Sequence, residues 1–259
     1  MSTESLSIID AKQPIERLHE PATLRLAATL GEAAPQASDP VPETLLASGF
    51  HELLAASPGH EAVTAALVFT LALKAAGGTS KPFCYCTLTG ETQERGALYG
   101  TGFARLGIDP ARLLMVTAAK EKDLLWTLEE AAASGAFGAI IGALGQKETL
   151  YGFAESRRLK LRAAAKGTPL FLIRHWSAGG STAAQGRWQV SSRPSRPDGR
   201  HADFPLLGPA RLMLRLERMG GFPPQQWEME FDATRGFHLA PLLEDGPDRG
   251  AGKGRHQAA

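Results

Sequence analysis

Eight consecutive residues, Ser57-Pro58-Gly59-His60-Glu61-Ala62-Val63-Thr64, lie between a short apolar run over 50–56 and a long apolar segment over 62–76. A strand, a loop and a helix in that order are where a nucleotide-binding α/β protein wraps backbone N–H groups around phosphates. The chemistry needs glycines for close backbone approach, a lysine for the β and γ phosphates, and a Ser or Thr hydroxyl for Mg²⁺. This loop has one glycine, Gly59, and no lysine, and Glu61 adds a negative charge. Only Thr64 keeps the chemical type expected at the end of such a loop. The helix that follows still offers N–H groups to an anion. The residues therefore predict weak triphosphate binding, and the plain alternative is a turn that packs a strand against a helix.

Other groups able to do chemistry are sparser. Arg158, Arg162 and Lys166 are spaced i, i+4, i+8 and share one face of a basic helix over 154–165 and its end. That face is either solvated or a surface for a partner or a phosphate, with Leu159 and Leu161 expected to turn toward the sheet. Arg211, Arg215 and Arg218 form a second basic set, and Arg249, Lys253 and Arg255 a third in the tail. Cys84 and Cys86 are the only two cysteines, too few for a disulfide framework or a structural zinc site, and they point to the same side of a strand as core residues. His51, His175 and His238 have no metal-ligand spacing. The tryptophans 126, 176, 188 and 227 read as core or interface anchors. Neither a metal nor a cofactor is expected.

The elements that must position these residues alternate. Apolar runs at 50–56, 81–88, 113–117, 137–144 and 169–174 read as strands buried on both faces, separated by helices at 62–76, 98–106, 121–134 and 154–165. Strands that alternate with helices predict an α/β fold with a mostly parallel sheet flanked by helices. The last third differs: 186–190 reads as a strand, 191–209 as a Ser/Pro/Arg/Gly-rich loop, and 211–216 and 227–231 alternate as an antiparallel hairpin at the sheet edge. Residues 1–42 read as a flexible arm with a helix over 14–30 and a linker over 31–42, residues 43–243 as one domain, and 244–259 as a disordered basic tail.

Charge and hydropathy exclude further classes. The net charge of +1 hides an asymmetry: residues 1–150 carry 11 Lys and Arg against 17 Asp and Glu, and residues 151–259 carry 17 against 10. The basic half is a candidate surface for an acidic partner or for nucleic acid. No apolar run reaches the ~20 residues of a membrane span, and the N-terminus lacks the basic and apolar regions of a secretory signal, so a cytoplasmic chain is expected.

In its order of segments the chain resembles the RecA ATPase core, and more closely the ImuA family of bacterial mutagenesis proteins, over about residues 50–239. The resemblance is carried by LYGTGFARLGIDPARLLMV (98–116), SGAFGAIIGAL (134–144), ESRRLKLRAAAKGTPLFLIR (155–174) and RLMLRLERMGGFPPQQWEMEFD (211–232). It implies a RecA-like core with Val63 at the phosphate-loop lysine position, Ala62 at the preceding glycine and Thr64 at the metal-ligand threonine. Ala143 takes the place of the metal-associated aspartate, the phosphate-sensing glutamine falls near His175 or Trp176, and Glu91 is the glutamate that would activate water. Losing the lysine and the aspartate removes both charged elements that hold phosphate and metal, so a pseudo-ATPase is expected. The segments at DNA-contacting positions, 145–152 and 176–186, are short and carry one Lys and no Arg, which argues against a RecA-style filament. The family implies a role in SOS mutagenesis and error-prone translesion synthesis. Its implied partners are ImuB (an inactive relative of Y-family polymerases), an alternative C-family replicative polymerase, and RecA itself. A divergent active ATPase and a direct DNA-binding accessory with weak affinity are the alternatives.

Overall fold

The computed structural model describes residues 7–9, 49–195, 207–232, 234 and 236–240. The readings for residues 14–30, 31–42 and 244–259, and for much of the 191–209 loop, lie outside them.

Among the described residues ten strands and five α-helices follow one another as β1 (Ser7–Ile9), β2 (Phe50–Ala55), α1 (Glu61–Ala75), β3 (Phe83–Leu88), α2 (Thr89–Arg95), α3 (Gly100–Arg105), β4 (Leu113–Ala118), α4 (Glu121–Ser134), β5 (Ala139–Ala143), α5 (Phe153–Lys166), β6 (Leu170–Arg174), β7 (Gly186–Arg193), β8 (Arg211–Met219), β9 (Gln225–Asp232) and β10 (Gly236–Leu239). They form one sheet in the order β1-β4-β3-β5-β6-β2-β7-β8-β9-β10. The six strands from β4 to β7 are parallel. The flanks, β1 on one side and β8 to β10 on the other, pair antiparallel. The expected α/β fold with a mostly parallel sheet is thus present. β7 runs to Arg193, past the expected start of the loop, because it pairs along its whole length with β8. β10 lies outside the β8–β9 hairpin, so the hairpin is not the last layer of that edge.

Two apolar layers hold the sheet. On one face α1 buries Leu67, Val68, Leu71 and Ala72 against Leu53, Ile141, Phe171 and Trp188. This helix is apolar nearly all round because it crosses the middle of the sheet. On the other face α4 and α5 bury Leu124, Leu128, Leu159 and Ala163 against Cys84, Cys86, Ile140 and Leu172. Burying each large side chain contributes about 1.5–3 kcal/mol. Gly142 is needed for close approach: a Cβ there would lie 2.7 Å from Leu128 Cδ1 and 2.8 Å from Leu172 Cδ1. The cysteines lie on one side of β3 as expected, with sulfurs 3.5 Å apart. Leu161 does not turn to the sheet: it is 60% exposed, because Leu159 and Ala163 already fill the inner stripe of α5.

Candidate functional site

The strand–loop–helix at 50–75 places its loop at the carboxyl end of the parallel strands, where ligands bind in open α/β sheets. Gly59 has φ +91°, a conformation that favours glycine. Its N–H donates to Glu61 Oε2 at 2.8 Å. The loop thus holds its own carboxylate where an anion would be received. Thr64 is buried, and its hydroxyl donates to the His60 carbonyl at 2.8 Å, a bond within the first turn of α1. Val63, in the first turn of α1, is partly buried against the core. Ser192 on β7 presents its N–H at 3.2 Å and its hydroxyl at 2.5 Å to His60 Nδ1, which pins the loop to the sheet. Ser57, Pro58 and Ala62 complete the turn, with Pro58 and Ala62 on the wall of the adjoining cleft.

That cleft, of about 980 Å³, lies between α1 and the α2–α3 segment and reaches the ends of β5 and β6. Its lining is largely apolar, with Phe69, Tyr85, Tyr99 and Met115, and its polar groups include Thr64, Glu61, Glu91, Arg174 and His175. Ala143 opens into it from the end of β5 and brings no charge. The Glu91 carboxylate accepts the Gln146 N–H at 3.2 Å. His175 is buried, and its Nδ1 lies 2.7 Å from Ser177 Oγ. Among the described residues no group of three or more His, Cys, Asp or Glu could hold a metal ion. No helix among them is long and apolar enough to cross a membrane.

A buried ionic cluster on the α5 face of the sheet was not expected from the sequence. Glu52, in the middle of β2, accepts Arg174 Nη1 at 3.2 Å and Arg187 Nε at 2.9 Å. The Tyr151 hydroxyl also donates to it. Arg174 donates to Glu148 at 2.6 and 3.0 Å and to the Gly179 carbonyl at 3.0 Å, and lies over the Tyr151 ring. Burial opposes its charge, yet hydrogen bonding to Glu148 and the charge of Glu52 hold its pKa above the ordinary guanidinium value. Burial, then the Glu52 carboxylate, push the Tyr151 phenol up. Glu148 belongs to the 145–152 segment and Gly179 to the 176–186 segment, so one guanidinium ties down both segments that the sequence placed at DNA-contacting positions. The available signal was a lone acid in the apolar strand FHELLA and an Arg ending LFLIR.

The basic residues separate. Arg158 pairs with Glu129 at 2.8 Å and with Glu155 at 3.5 Å, and Arg162 pairs with Glu130 at 3.1 Å and with Glu129 at 3.5 Å. Both therefore clamp α5 to α4. The Lys166 side chain runs along Gly135 at the end of α4. Arg211 is buried and pairs with Glu228 and Glu230 on β9, at 2.8 and 3.6 Å. Arg215 is exposed, and Arg218, also exposed, donates to the Thr182 carbonyl at 3.2 Å.

The fold and site define a class: an α/β protein with a mostly parallel sheet, whose 56–60 loop sits at the carboxyl end of the parallel strands and binds its own Glu61 carboxylate. The chain is similar to Protein ImuA of Caulobacter vibrioides, in strains NA1000 and ATCC 19089 alike. Identity is 29% over 175 residues, covering 62% of this chain and 69% of that protein. No family model matches the chain.

Proposed function

We propose that the chain is a non-catalytic, RecA-like accessory protein of damage-induced, error-prone translesion synthesis, acting through contacts with mutasome polymerases. Similarity to Protein ImuA supports the mutagenesis setting. The observation that carries the non-catalytic part is the Gly59 N–H donating to Glu61 at 2.8 Å. With Val63 and Ala143 at the lysine and aspartate positions that the resemblance implies, a nucleotide would meet an internal anion and neither of those two charges, and Arg174 at the cleft wall is already paired with Glu52 and Glu148. Partners of the kind implied are an ImuB-like inactive polymerase relative and a C-family polymerase, with RecA as a further one.

The test is Mg²⁺–ATP binding and phosphate release by the purified full chain. The expected result is no saturable binding and no turnover. Sub-micromolar affinity with turnover overturns the reading in favour of a divergent ATPase, the second reading, which the cleft of about 980 Å³ beside Thr64 and Glu91 favours.

A further inference from the structure

We infer that the groove between α5 and the far end of β8 is a docking site for an acidic segment of a partner protein that inserts apolar anchors. The groove, about 580 Å³, is lined by Phe153, Arg157, Lys160 and Leu161 from α5, by the chain at 182–185, and by Arg218 and Phe222 at the β8 turn. Of the eight large apolar side chains exposed among the described residues, three line this groove: Phe153 at 54%, Leu161 at 60% and Phe222 at 45%. Clustering of that kind, rimmed by polar groups, marks an interaction surface.

The charge selects the occupant. Arg157, Lys160 and Arg218 line the groove, and no Asp or Glu does. Their helix neighbours Arg158 and Arg162 are neutralised by Glu129 and Glu130, whereas Arg157 and Lys160 make no ion pair among the described residues. Arg218 is held in place by the Thr182 carbonyl. The two helix cations stand three positions apart, with Leu161 next to Lys160 and one turn on from Arg157, so a carboxylate beside an apolar side chain meets charge and pocket together. The buried part of the lining is aliphatic, with Ala184 and Met219, beside the exposed Phe153, Leu161 and Phe222. Such a lining buries Leu- or Phe-like anchors and leaves the polar edges of nucleobases unpaired, which favours a peptide over a nucleic acid.

This inference rests on the reading of the chain as an interaction subunit and names the surface and the partner chemistry. The experiment selects a phage-displayed random peptide library on the full chain, then titrates the best synthetic peptide by fluorescence polarisation. The expected peptides carry Asp or Glu next to Leu, Phe or Trp. Their affinity falls at least about tenfold in Arg157→Glu and in Lys160→Glu, about 1.4 kcal/mol. It also falls in Leu161→Ser, and it is unchanged in Lys122→Glu, a charge reversal on α4 outside the groove. No enrichment, enrichment of peptides without acids, or binding insensitive to Arg157→Glu overturns the inference. So does a Lys160→Glu variant that loses an oligo-dT ligand and keeps the peptide, because the groove is then a nucleic-acid surface. ATP turnover overturns the proposed function without touching these results, so the two failures are distinguishable.

Discussion

Arg174 at the end of β6 reaches Glu52 in the middle of β2, 3.2 Å away, with side chains only 2% and 0% exposed. The same guanidinium holds Glu148 at 2.6 Å and the Gly179 carbonyl at 3.0 Å. Removing it takes a cation from two buried carboxylates: Glu148 loses its ion pair, and Glu52 keeps Arg187 and the Tyr151 hydroxyl. Arg174→Met is expected to lower unfolding stability by about 3–5 kcal/mol in urea denaturation. Arg174→Lys is expected to fail as a rescue, because one ammonium cannot reproduce a planar fork that meets Glu52, Glu148 and Gly179 at once. Wild-type stability in the Met variant would show that solvent already compensates the cluster.

The loop carboxylate gives a second prediction. Glu61→Ala frees the Gly59 N–H and removes a like charge facing any incoming phosphate. Calorimetry with millimolar inorganic phosphate is expected to show weak binding to the variant and none to the wild type. The variant also loses an acid from the first turn of α1, worth about 0.3–1 kcal/mol, or a Tm lower by roughly 1–4 °C. Equal phosphate binding by both proteins would show that Glu61 does not occupy the site.

His51 makes stability depend on pH. It is fully buried, stacked on Phe171 with centroids 5.9 Å apart, and neither ring nitrogen has a hydrogen-bond partner. Burial lowers its pKa from 6.5 to about 4. Above pH 6.5 the imidazole is neutral in both states, and its contribution is intact. As pH falls from 6.5 toward 4 the unfolded chain takes up a proton that the folded chain resists, so stability falls, by about 3 kcal/mol in all, and levels off below. His51→Leu is expected to flatten the part of the slope between pH 6.5 and pH 4 that is due to this residue. An unchanged slope would assign the acid sensitivity to other groups.

The two stripes of α5 should behave differently. Arg158 is half exposed where it meets Glu129. A double-mutant cycle of Arg158→Ala with Glu129→Ala is expected to give a coupling of about 0.5–1 kcal/mol. Arg158→Ala should leave peptide capture by the neighbouring groove intact. A coupling near zero would mean that the α4–α5 contact rests on its apolar seam alone.

The α/β class, the helix over 121–134, the strands ending at Leu88 and Arg174, and the direction of the β8–β9 hairpin were legible because each follows from local periodicity. Short elements without a periodic face were not. α2 at 89–95 is polar and short, β1 has three residues, and β10 is defined only by its pairing with β9. The loop between β2 and α1 was legible as a loop, because Ser57-Pro58-Gly59 separates two apolar runs.

The sequence alone determined that the loop from Ser57 to Thr64 lacks a lysine and that Ala143 brings no carboxylate, because a missing functional group is missing in any conformation. Tertiary structure alone decided where the remaining charges act. It turned Arg158 and Arg162 toward α4 and left Arg157 and Lys160 facing a groove. It also joined Glu52, Glu148 and Arg174, which lie far apart along the chain. Helical spacing shows which side chains share a stripe, but the partner of a stripe is set by which element packs beside it. That depends on the strand order, in which β2 comes to lie between β6 and β7.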